Sequence, residues 1–494
     1  MLSFKRLARI SVSKFASKPA RQPILNAFPS AFLSSPEPPL FRMGAASRYS
    51  SQAPWLESLL REKPGLAPTL YAWTPANISG DKACSEPTRD HSSLDLDRRV
   101  YVLGVGNLGC LYAGSLREHP EDPPVTLVVH RKDLLSQWVN GPGLQMTRAG
   151  VSRARKDVDI EWWTEEPPTQ GPVREVAHGL KSRNLILGTK TTPAVPELDR
   201  IRRYLDGSST VALLQNGVSP YWPPYGAEYV AQRFGPSQGP NFLACVNNHG
   251  VYSEGPFSSV HASPASTIIG PVLLNGKTQR LAPSVSYLSG LLTTSPHLNA
   301  SVVAGTDLWL LQLEKLVVNC VVNPLTAVLR CKNGMLLSAE NRPVLPVIEK
   351  LAAEVSHVYQ ALFHSDSAAC VLDPALQPAL WTKERSTEHK TLASIRADLT
   401  ARFSPTGLRD HVHLLTIIAK DNSSSMFQDA RAGKPTEIRD FNGWIVETAS
   451  LLEKEAQEAG ARLTLDVSAN RRLIDLVEAR EVLNASELAS RLLS

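Results

Sequence analysis

The stretch Arg99-Val100-Tyr101-Val102-Leu103-Gly104-Val105-Gly106-Asn107-Leu108-Gly109 sets three glycines in a G-x-G-x-x-G spacing directly after an apolar run. We predict a strand over the apolar run and a helix, Leu108–Arg117, after the last glycine. In such a turn the first glycine allows the sharp bend, the second lets the backbone approach a pyrophosphate, and the third lets the helix pack closely on the strand. The predicted cofactor-binding loop is Gly104, Val105, Gly106, Asn107, Leu108 and Gly109.

Short apolar or β-branched runs recur outward from this loop up to about residue 272. Longer polar or helical intervals separate the early runs, which is typical of βαβ units and a parallel sheet. With a strand before it and a helix after it, the glycine loop therefore indicates a dinucleotide-binding domain. The runs are Val125–Val129, Asn184–Leu187, Thr210–Leu214, Phe242–Val246 and Thr267–Ile269.

The pattern changes after a stretch rich in Pro, Ser and Gly at about 272–299, which we interpret as a junction. Helical periodicity then dominates at 306–330, 340–365, 408–420 and 438–458. We predict an α/β Rossmann-type parallel-sheet domain over 98–295 and an all-α C-terminal domain over 296–494, with a cleft between them. The segment 53–97, rich in Pro and Ser, is predicted to be a linker with one short helix.

The end of the second predicted strand indicates which dinucleotide binds. Sites for NAD usually place Asp or Glu there to bind the ribose 2′-OH, whereas this chain has His130-Arg131-Lys132. A guanidinium fits a 2′-phosphate through two parallel hydrogen bonds. We therefore predict NADP(H), bound through Arg131 with Lys132 as an adjunct; the alternative is that Arg131 only solvates a strand end.

Two further predicted strands end in polar residues. Lys190 follows the run at 184–187, and Asn216 follows the run at 210–214. Open α/β sheets bind ligands at the carboxyl edge of their strands, so both side chains are candidates for the site. Ordinary loop polarity, or an Asn-Gly turn, explains the same residues without a function.

A polar stripe runs along a predicted helix that is otherwise apolar. Lys315, Asn319 and Asn323 are four residues apart, so they share one helix face, and Pro324 is expected to end or kink the helix at Asn323. Burial lowers the pKa of a lysine toward neutrality, and such a lysine can donate a proton to a developing alkoxide. The alternative is a wet edge of a packing helix.

A serine-rich turn comes later, at Asn422-Ser423-Ser424-Ser425, and Glu437 follows near the start of the next helix. Hydroxyl and N–H groups at such a turn can bind an anion. Glu437 is either a helix cap or the acid that orients a catalytic lysine.

The net charge of +5 is concentrated at the N-terminus. Residues 1–52 hold eight Lys and Arg against Glu37 alone, which leaves the remainder at −2. A leader rich in Arg, Ser and Ala, without acids before Glu37, is typical of a mitochondrial transit peptide, so we expect import into the matrix; a disordered basic tail is the alternative. The near-neutral remainder argues against a nucleic-acid partner.

Metal and membrane roles have little support in the sequence. The six cysteines form no CxxC pair, and no His/Cys cluster has the spacing of metal ligands, so we predict no metal. No uninterrupted apolar stretch of about 18 residues is present, so we expect no membrane insertion.

Taken together, these blocks resemble the ketopantoate reductase (2-dehydropantoate 2-reductase) family, in a fungal form with an N-terminal leader. The resemblance runs in order over about 99–460, through G-V-G-N-L-G, E-K-L-V-V-N-C-V-V-N-P-L-T-A and S-S-M-F-Q-D-A-R-A-G-K-P-T-E-I. It implies a Rossmann domain, a helical domain like the C-terminal domain of 6-phosphogluconate dehydrogenase, and reduction of ketopantoate by NADPH to pantoate for pantothenate synthesis.

The resemblance also implies roles for single residues. The glycine loop and Arg131 match cofactor contacts, Lys190 and Asn216 match cofactor-side positions, and Lys315 matches the proton donor. Glu437 matches an acid close to both the cofactor ribose and the catalytic centre. The positions that match substrate contacts are Asn319, Asn323, Asn333 and Ser425.

This chain also departs from the family pattern. The leader, the 53–97 segment and a loop at 365–385 make it long, and Ser219 follows the Asn-Gly turn where a second glycine is frequent. The substrate is therefore left open between ketopantoate and another branched 2-oxo acid, and a non-catalytic mitochondrial regulatory protein on the same fold is the alternative of a different class. The expected partner is a small 2-oxo acid, and a homodimer is left open.

Overall fold

A computed structural model describes residues 65–79, 93–222, 225–236, 238–275, 281–373 and 391–494. The predicted leader at 1–52, much of the 53–97 segment and the second half of the predicted 365–385 loop lie outside these residues. The first half of that predicted loop is a helix, Asp366–Leu372, and not a loop.

A nine-stranded sheet forms the centre of the N-terminal half, in the order β1-β6-β3-β2-β7-β8-β9-β12-β13. The six strands from β6 to β9 run parallel in the order 3-2-1-4-5-6 of a dinucleotide-binding fold. Successive strands are added outward from β2 on one side and outward from β7 on the other, so the carboxyl ends of β2 and β7 flank the crevice where ligands bind. The strands are β1 (Tyr71–Trp73), β2 (Val100–Leu103), β3 (Val125–Val129), β6 (Asp159–Thr164), β7 (Asn184–Leu187), β8 (Thr210–Leu213), β9 (Asn241–Asn247), β12 (Thr267–Leu273) and β13 (Ala300–Val302).

A second, four-stranded sheet has the order β10-β11-β4-β5 and packs against the helix that follows the glycine loop. The sequence does not predict this sheet, because its edge strand is exposed along most of its length and lacks an apolar run. Its strands are β4 (Leu144–Arg148), β5 (Val151–Arg155), β10 (Gly250–Gly255) and β11 (Ser258–Ser263).

Helices cover the central sheet and build the C-terminal half. The N-terminal helices are α1 (Ala76–Ser79), α2 (Ser93–Arg98), α3 (Asn107–Arg117), α4 (Lys132–Asn140), α5 (Thr191–Arg200), α6 (Tyr225–Phe234) and α7 (Pro283–Thr294). The C-terminal helices are α8 (Gly305–Leu329), α9 (Leu345–His364), α10 (Asp366–Leu372), α11 (Leu392–Arg402), α12 (Pro405–Ile418), α13 (Ser425–Arg431), α14 (Trp444–Glu458), α15 (Ser468–Glu478) and α16 (Ala485–Leu493). The fold class predicted from the sequence, a Rossmann-type α/β domain followed by an all-α domain, is confirmed.

Helix α8 is the central helix of the C-terminal half and packs against β9 and β12 of the sheet. By length and composition alone it is apolar enough to cross a membrane, but most of it is buried inside the protein. Its apolar character is therefore accounted for by the core.

The sequence predicts that Pro324 ends or kinks α8 at Asn323. The prediction of an end is wrong, because the helix continues to Leu329. A proline leaves the carbonyl four residues earlier without its helical donor. Here that carbonyl belongs to Cys320 and accepts a hydrogen bond of 2.9 Å from the Asn442 side chain instead. Asn442 is fully buried in a short π-helical segment, Arg439–Gly443, so this bond replaces the one the helix lost.

Part of the predicted linker belongs to the sheet. Strand β1 pairs antiparallel with β6, and both Leu70 and Trp73 are buried. The run is short and flanked by prolines, so its sequence gives little strand signal. Its burial depends on a partner strand almost 90 residues later in the chain. The predicted junction at 272–299 likewise contains helix α7, and β13 extends the sheet past residue 295.

Candidate active site

The glycine loop connects β2 to α3 at the crevice of the sheet. Gly104 has a φ of +95°, and a Cβ there would lie 2.6 Å from the backbone of Gly188 and Thr189. A Cβ on Gly109 would lie 2.2 Å from the carbonyl oxygen of Gly104. Gly106 differs, because a Cβ on it would meet no atom of the protein within 4 Å. Two glycines thus hold the turn together, and the third leaves an open side.

This loop fits a dinucleotide. The open side at Gly106 is where a pyrophosphate can approach the backbone, and the N–H groups at the start of α3 are available to its charge. Arg131 and Lys132 lie at the end of β3, at the start of α4. Arg131 is about half exposed and pairs with Asp133 at 2.9 Å, while the Lys132 ammonium lies 4.4 Å from the centre of the Trp73 ring.

Lys315 lies on α8, where this helix meets the carboxyl edge of the sheet. Its ammonium donates a hydrogen bond of 3.2 Å to Oδ1 of Asn216, after β8, and another to the carbonyl oxygen of Asn247, at the end of β9. Desolvation lowers the pKa of Lys315 to about 8, and the attraction of Glu437 opposes this shift. At neutral pH the lysine is therefore charged, but it holds its proton less tightly than a lysine in water.

Asn216 and Glu437 complete a cluster with Lys315. The Asn216 side chain also hydrogen bonds to Glu437, so it connects the acid to the lysine. Glu437 is buried, and burial raises the pKa of its carboxyl, a rise that Lys190 and Asn216 oppose and that Asp440 and Asp429 increase. Its side chain faces this cluster, which favours the interpretation of Glu437 as the acid that orients the lysine over its interpretation as a helix cap.

Lys190 lies at the carboxyl edge of β7, as predicted, but its ammonium is directed to the C-terminal half. It donates hydrogen bonds of 2.8 Å to Oδ2 of Asp429 and to the carbonyl oxygen of Pro435. Next to it, Thr192 donates to Asp440 at 3.1 Å. In this structure Lys190 therefore joins the two halves of the protein beside Glu437, and its predicted role as a cofactor contact stays a prediction.

The predicted substrate residues lie along the C-terminal half of α8 and in the turns next to it. Asn323 is buried and donates a hydrogen bond of 3.3 Å to Asn319, its neighbour on the polar stripe. Asn333 is buried, and its backbone N–H donates to the carbonyl oxygen of Asn422 at 3.1 Å, next to the serine-rich turn. Ser425, in the first turn of α13, has an exposed side chain. The structure thus brings residues from α8, its following turn and the serine-rich turn into one region.

Two contributors were not predicted. Ser424, rather than its neighbour Ser425, caps α13 by accepting a hydrogen bond from the N–H of Phe427, and its hydroxyl lies 2.7 Å from that of Thr326 on α8. Asn247 supplies the carbonyl oxygen that receives the Lys315 ammonium. A polar residue directly after the apolar run 242–246 is the same signal that marked Lys190 and Asn216, so Asn247 could have been found.

Across the described ranges, no group of three or more His, Cys, Asp or Glu side chains is arranged to hold a metal ion. The chemistry of the cluster is that of an amine, an amide and a carboxyl group.

A dinucleotide-binding crevice with a desolvated lysine and a buried acid beside it defines a class of protein, the dinucleotide-dependent oxidoreductases. The family profile described as ketopantoate reductase PanE/ApbA matches residues 100–273, and the profile of its C-terminal region matches residues 307–481. The chain therefore belongs to the ketopantoate reductase family, as the sequence resemblance predicts, and it is an NADPH-dependent oxidoreductase.

Individual relatives divide into two groups. A ketoisovalerate reductase from Beauveria bassiana is 39% identical over 465 residues, which is 89% of this chain and 98% of the relative. The ketoisovalerate reductase BEA2 from Gibberella fujikuroi is 40% identical over 462 residues, with the same two coverages. A probable 2-dehydropantoate 2-reductase from Schizosaccharomyces pombe is 25% identical over 366 residues, 72% of this chain and 91% of the relative.

Proposed function

We propose that this chain reduces 2-ketoisovalerate to 2-hydroxyisovalerate with NADPH. The observation that carries the reductase chemistry is the Lys315 ammonium, held by Asn216 and attracted by Glu437, at the edge of the sheet that carries the glycine loop. The choice of substrate is supported by the relatives named ketoisovalerate reductase, which match at 39–40% identity over nearly their whole length.

The reaction requires that a proton be donated to the keto oxygen. Bound NADPH supplies the hydride for the keto carbon. Lys315 donates a hydrogen bond to the keto oxygen and gives up its proton as negative charge develops there. Its pKa of about 8 suits this role, because it is protonated at neutral pH and is a stronger acid than an exposed lysine. Asn216 holds the ammonium in place, and Glu437 favours its charged form.

A second candidate substrate is ketopantoate, which carries a hydroxyl group that 2-ketoisovalerate lacks. The observation that favours it is the Asn333 side chain, whose buried Oδ1 has no hydrogen-bond partner among the described residues. An unpaired acceptor at this place can receive a hydroxyl, and buried polar groups are rarely left without a partner. The family profile and the Schizosaccharomyces pombe relative support this candidate.

Steady-state kinetics separate the two candidates. We expect kcat/KM with NADPH and 2-ketoisovalerate to exceed that with ketopantoate by about tenfold or more. A ratio of this size is typical of two substrates that differ by one group in an enzyme pocket. A ratio in favour of ketopantoate would instead assign the chain to pantoate formation. In that case Asn333→Leu should lose activity on ketopantoate and leave activity on 2-ketoisovalerate nearly unchanged.

We also propose that residues 1–52 direct the chain to the mitochondrial matrix. The support is compositional: eight Lys and Arg and one acid, all within the first 52 residues. Fusion of this segment to a fluorescent protein should place the fusion in mitochondria of a fungal cell. A matched fusion with Lys5, Arg6 and Arg9 changed to Gln should remain outside them, and equal distribution of the two fusions would contradict the proposal.

A further inference from the structure

The Lys315 ammonium has three hydrogens, and the described part of the chain engages two of them. One is donated to the Asn216 side chain and one to the backbone carbonyl of Asn247. With two hydrogens fixed, the direction of the third is fixed as well. The position of the Asn247 carbonyl therefore decides where Lys315 presents its remaining proton.

Asn247 ends strand β9, and its side chain makes three hydrogen bonds. Its Oδ1 accepts a hydrogen bond of 2.7 Å from the Tyr112 hydroxyl and one of 3.1 Å from the Thr267 hydroxyl. Its Nδ2 donates to the carbonyl oxygen of Cys245 at 3.0 Å. Asn247 is 5% exposed, and Tyr112 and Thr267 are completely buried. A side chain held at three points in a dry environment leaves its backbone little freedom.

Tyr112 connects this arrangement to the cofactor loop. It lies on α3, whose first turn carries the last glycine of the loop, only three residues before Tyr112. The Tyr112 hydroxyl is thus the group through which the cofactor-binding helix contacts Asn247 and, through the Asn247 backbone, the proton donor.

We propose that Tyr112 and Asn247 are positioning residues for Lys315. Their hydrogen bond fixes the Asn247 carbonyl, which holds the ammonium in line with the keto oxygen of a substrate bound beside the dinucleotide. This inference rests on the proposed role of Lys315 as proton donor. A merely structural role for the same hydrogen bond would stabilise the fold without affecting proton transfer.

The test compares two tyrosine variants in the full-length protein. Tyr112→Phe removes the hydroxyl that holds Asn247, whereas Tyr204→Phe removes the hydroxyl of another buried tyrosine, which bonds Leu70 and Glu175 in another part of the sheet domain. Both variants should lose thermal stability. Only Tyr112→Phe should lower kcat, by about tenfold, while the KM for the 2-oxo acid and the affinity for NADPH change less than about twofold.

The pH profile gives a second readout. A carbonyl that accepts from the ammonium favours its charged form, so loosening that carbonyl lowers the pKa of Lys315 and moves the alkaline loss of activity to lower pH. Among the described residues, the charged or titratable side chains that interact with Lys315 are Glu437 and His249, and neither tyrosine substitution changes them. Thr267→Val, which removes the longer of the two bonds to Asn247, should act in the same direction with a smaller effect and replaces Tyr112→Phe if that variant does not fold.

Identical kcat values and pH profiles for Tyr112→Phe and Tyr204→Phe would overturn this inference. The role of Lys315 is tested separately with Lys315→Ala. If that variant is inactive while the two tyrosine variants behave alike, only the positioning role is wrong. If Lys315→Ala retains its turnover, the proposed mechanism itself is wrong.

Discussion

The glycine loop and the Lys315 cluster lie at the same edge of the sheet but work by opposite means. The loop, Gly104–Gly109, offers backbone and open space, and two of its glycines are packed so closely that a single carbon atom would collide with neighbouring backbone. The cluster offers desolvated side chains. The pKa values of its lysine and its acid are set by desolvation, by the charge between them and by the Asn216 amide.

This difference predicts that binding and chemistry can be separated by mutation. Changes in the loop act on the cofactor through shape, so saturating cofactor should compensate for them. Changes in the cluster act on the proton that the reaction needs, so no cofactor concentration should compensate for them.

Lys315→Ala is expected to have the largest effect. Without the ammonium, the developing alkoxide has no proton donor at this position, and kcat should fall by about three orders of magnitude. NADPH affinity, measured by fluorescence titration, should stay within about twofold of the wild type. Lys181→Ala is the matched control, since Lys181 contacts only backbone carbonyls of 203 and 205 among the described residues. An equal loss in both variants would contradict the assignment.

Gly106→Val comes next. The backbone at Gly106, with φ of −84°, accepts a side chain, and no protein atom lies near its Cβ position, so the unfolding temperature should not change. The new side chain takes the space of the pyrophosphate, and the Kd for NADPH should rise roughly 100-fold, or about 2.7 kcal/mol. Gly109→Ala should behave differently and destabilise the fold, because its Cβ would lie 2.2 Å from the Gly104 carbonyl oxygen. Unaltered NADPH binding by Gly106→Val would place the pyrophosphate elsewhere.

Arg131→Ala is expected to act on cofactor choice alone. Loss of the guanidinium should raise the KM for NADPH by about tenfold and leave the KM for NADH unchanged, because only NADPH carries the 2′-phosphate. Arg153→Ala, at an exposed position of β5, controls for the loss of one positive charge. If both cofactors are affected equally, Arg131 does not read the 2′-phosphate.

Glu437→Gln is expected to move a pH profile. The Glu437 carboxyl raises the pKa of Lys315, so its removal should lower that pKa and shift the alkaline limb of kcat/KM, near pH 8 in the wild type, downward by roughly one unit. Glu349→Gln, in a surface ion pair with Arg409, should leave the limb in place. If the alkaline limb of Glu437→Gln moves to higher pH or does not move, the Glu437 carboxyl does not raise the pKa of Lys315.

The sequence predicted the strand, turn and helix of the loop, and the cluster only in part, for a physical reason. The loop is a local structure: strand, turn and helix are continuous in the chain, and the glycine spacing encodes their close packing. Lys315 and Asn323 were found because helical periodicity places them on one face. That Asn216 bridges Lys315 and Glu437 is a contact between three distant segments, for which the chain carries no local signal; the resemblance named the residues but not this hydrogen bond.

The differences between prediction and structure have the same origin. Pro324 does not end its helix because Asn442, more than a hundred residues later, satisfies the carbonyl of Cys320. Strand β1 lies within the predicted linker, because its partner β6 is far along the chain and gives no local signal. In each case a tertiary hydrogen bond overrides a local preference.

The separation of binding from chemistry is tested most directly by single-turnover reduction of 2-ketoisovalerate, monitored by NADPH oxidation over a series of NADPH concentrations, in Gly106→Val and Lys315→Ala side by side. The account predicts that Gly106→Val reaches the wild-type rate once NADPH is saturating, whereas Lys315→Ala binds NADPH normally and stays about three orders of magnitude slower at every concentration. Recovery of Lys315→Ala at high NADPH, or failure of Gly106→Val to recover, would contradict it.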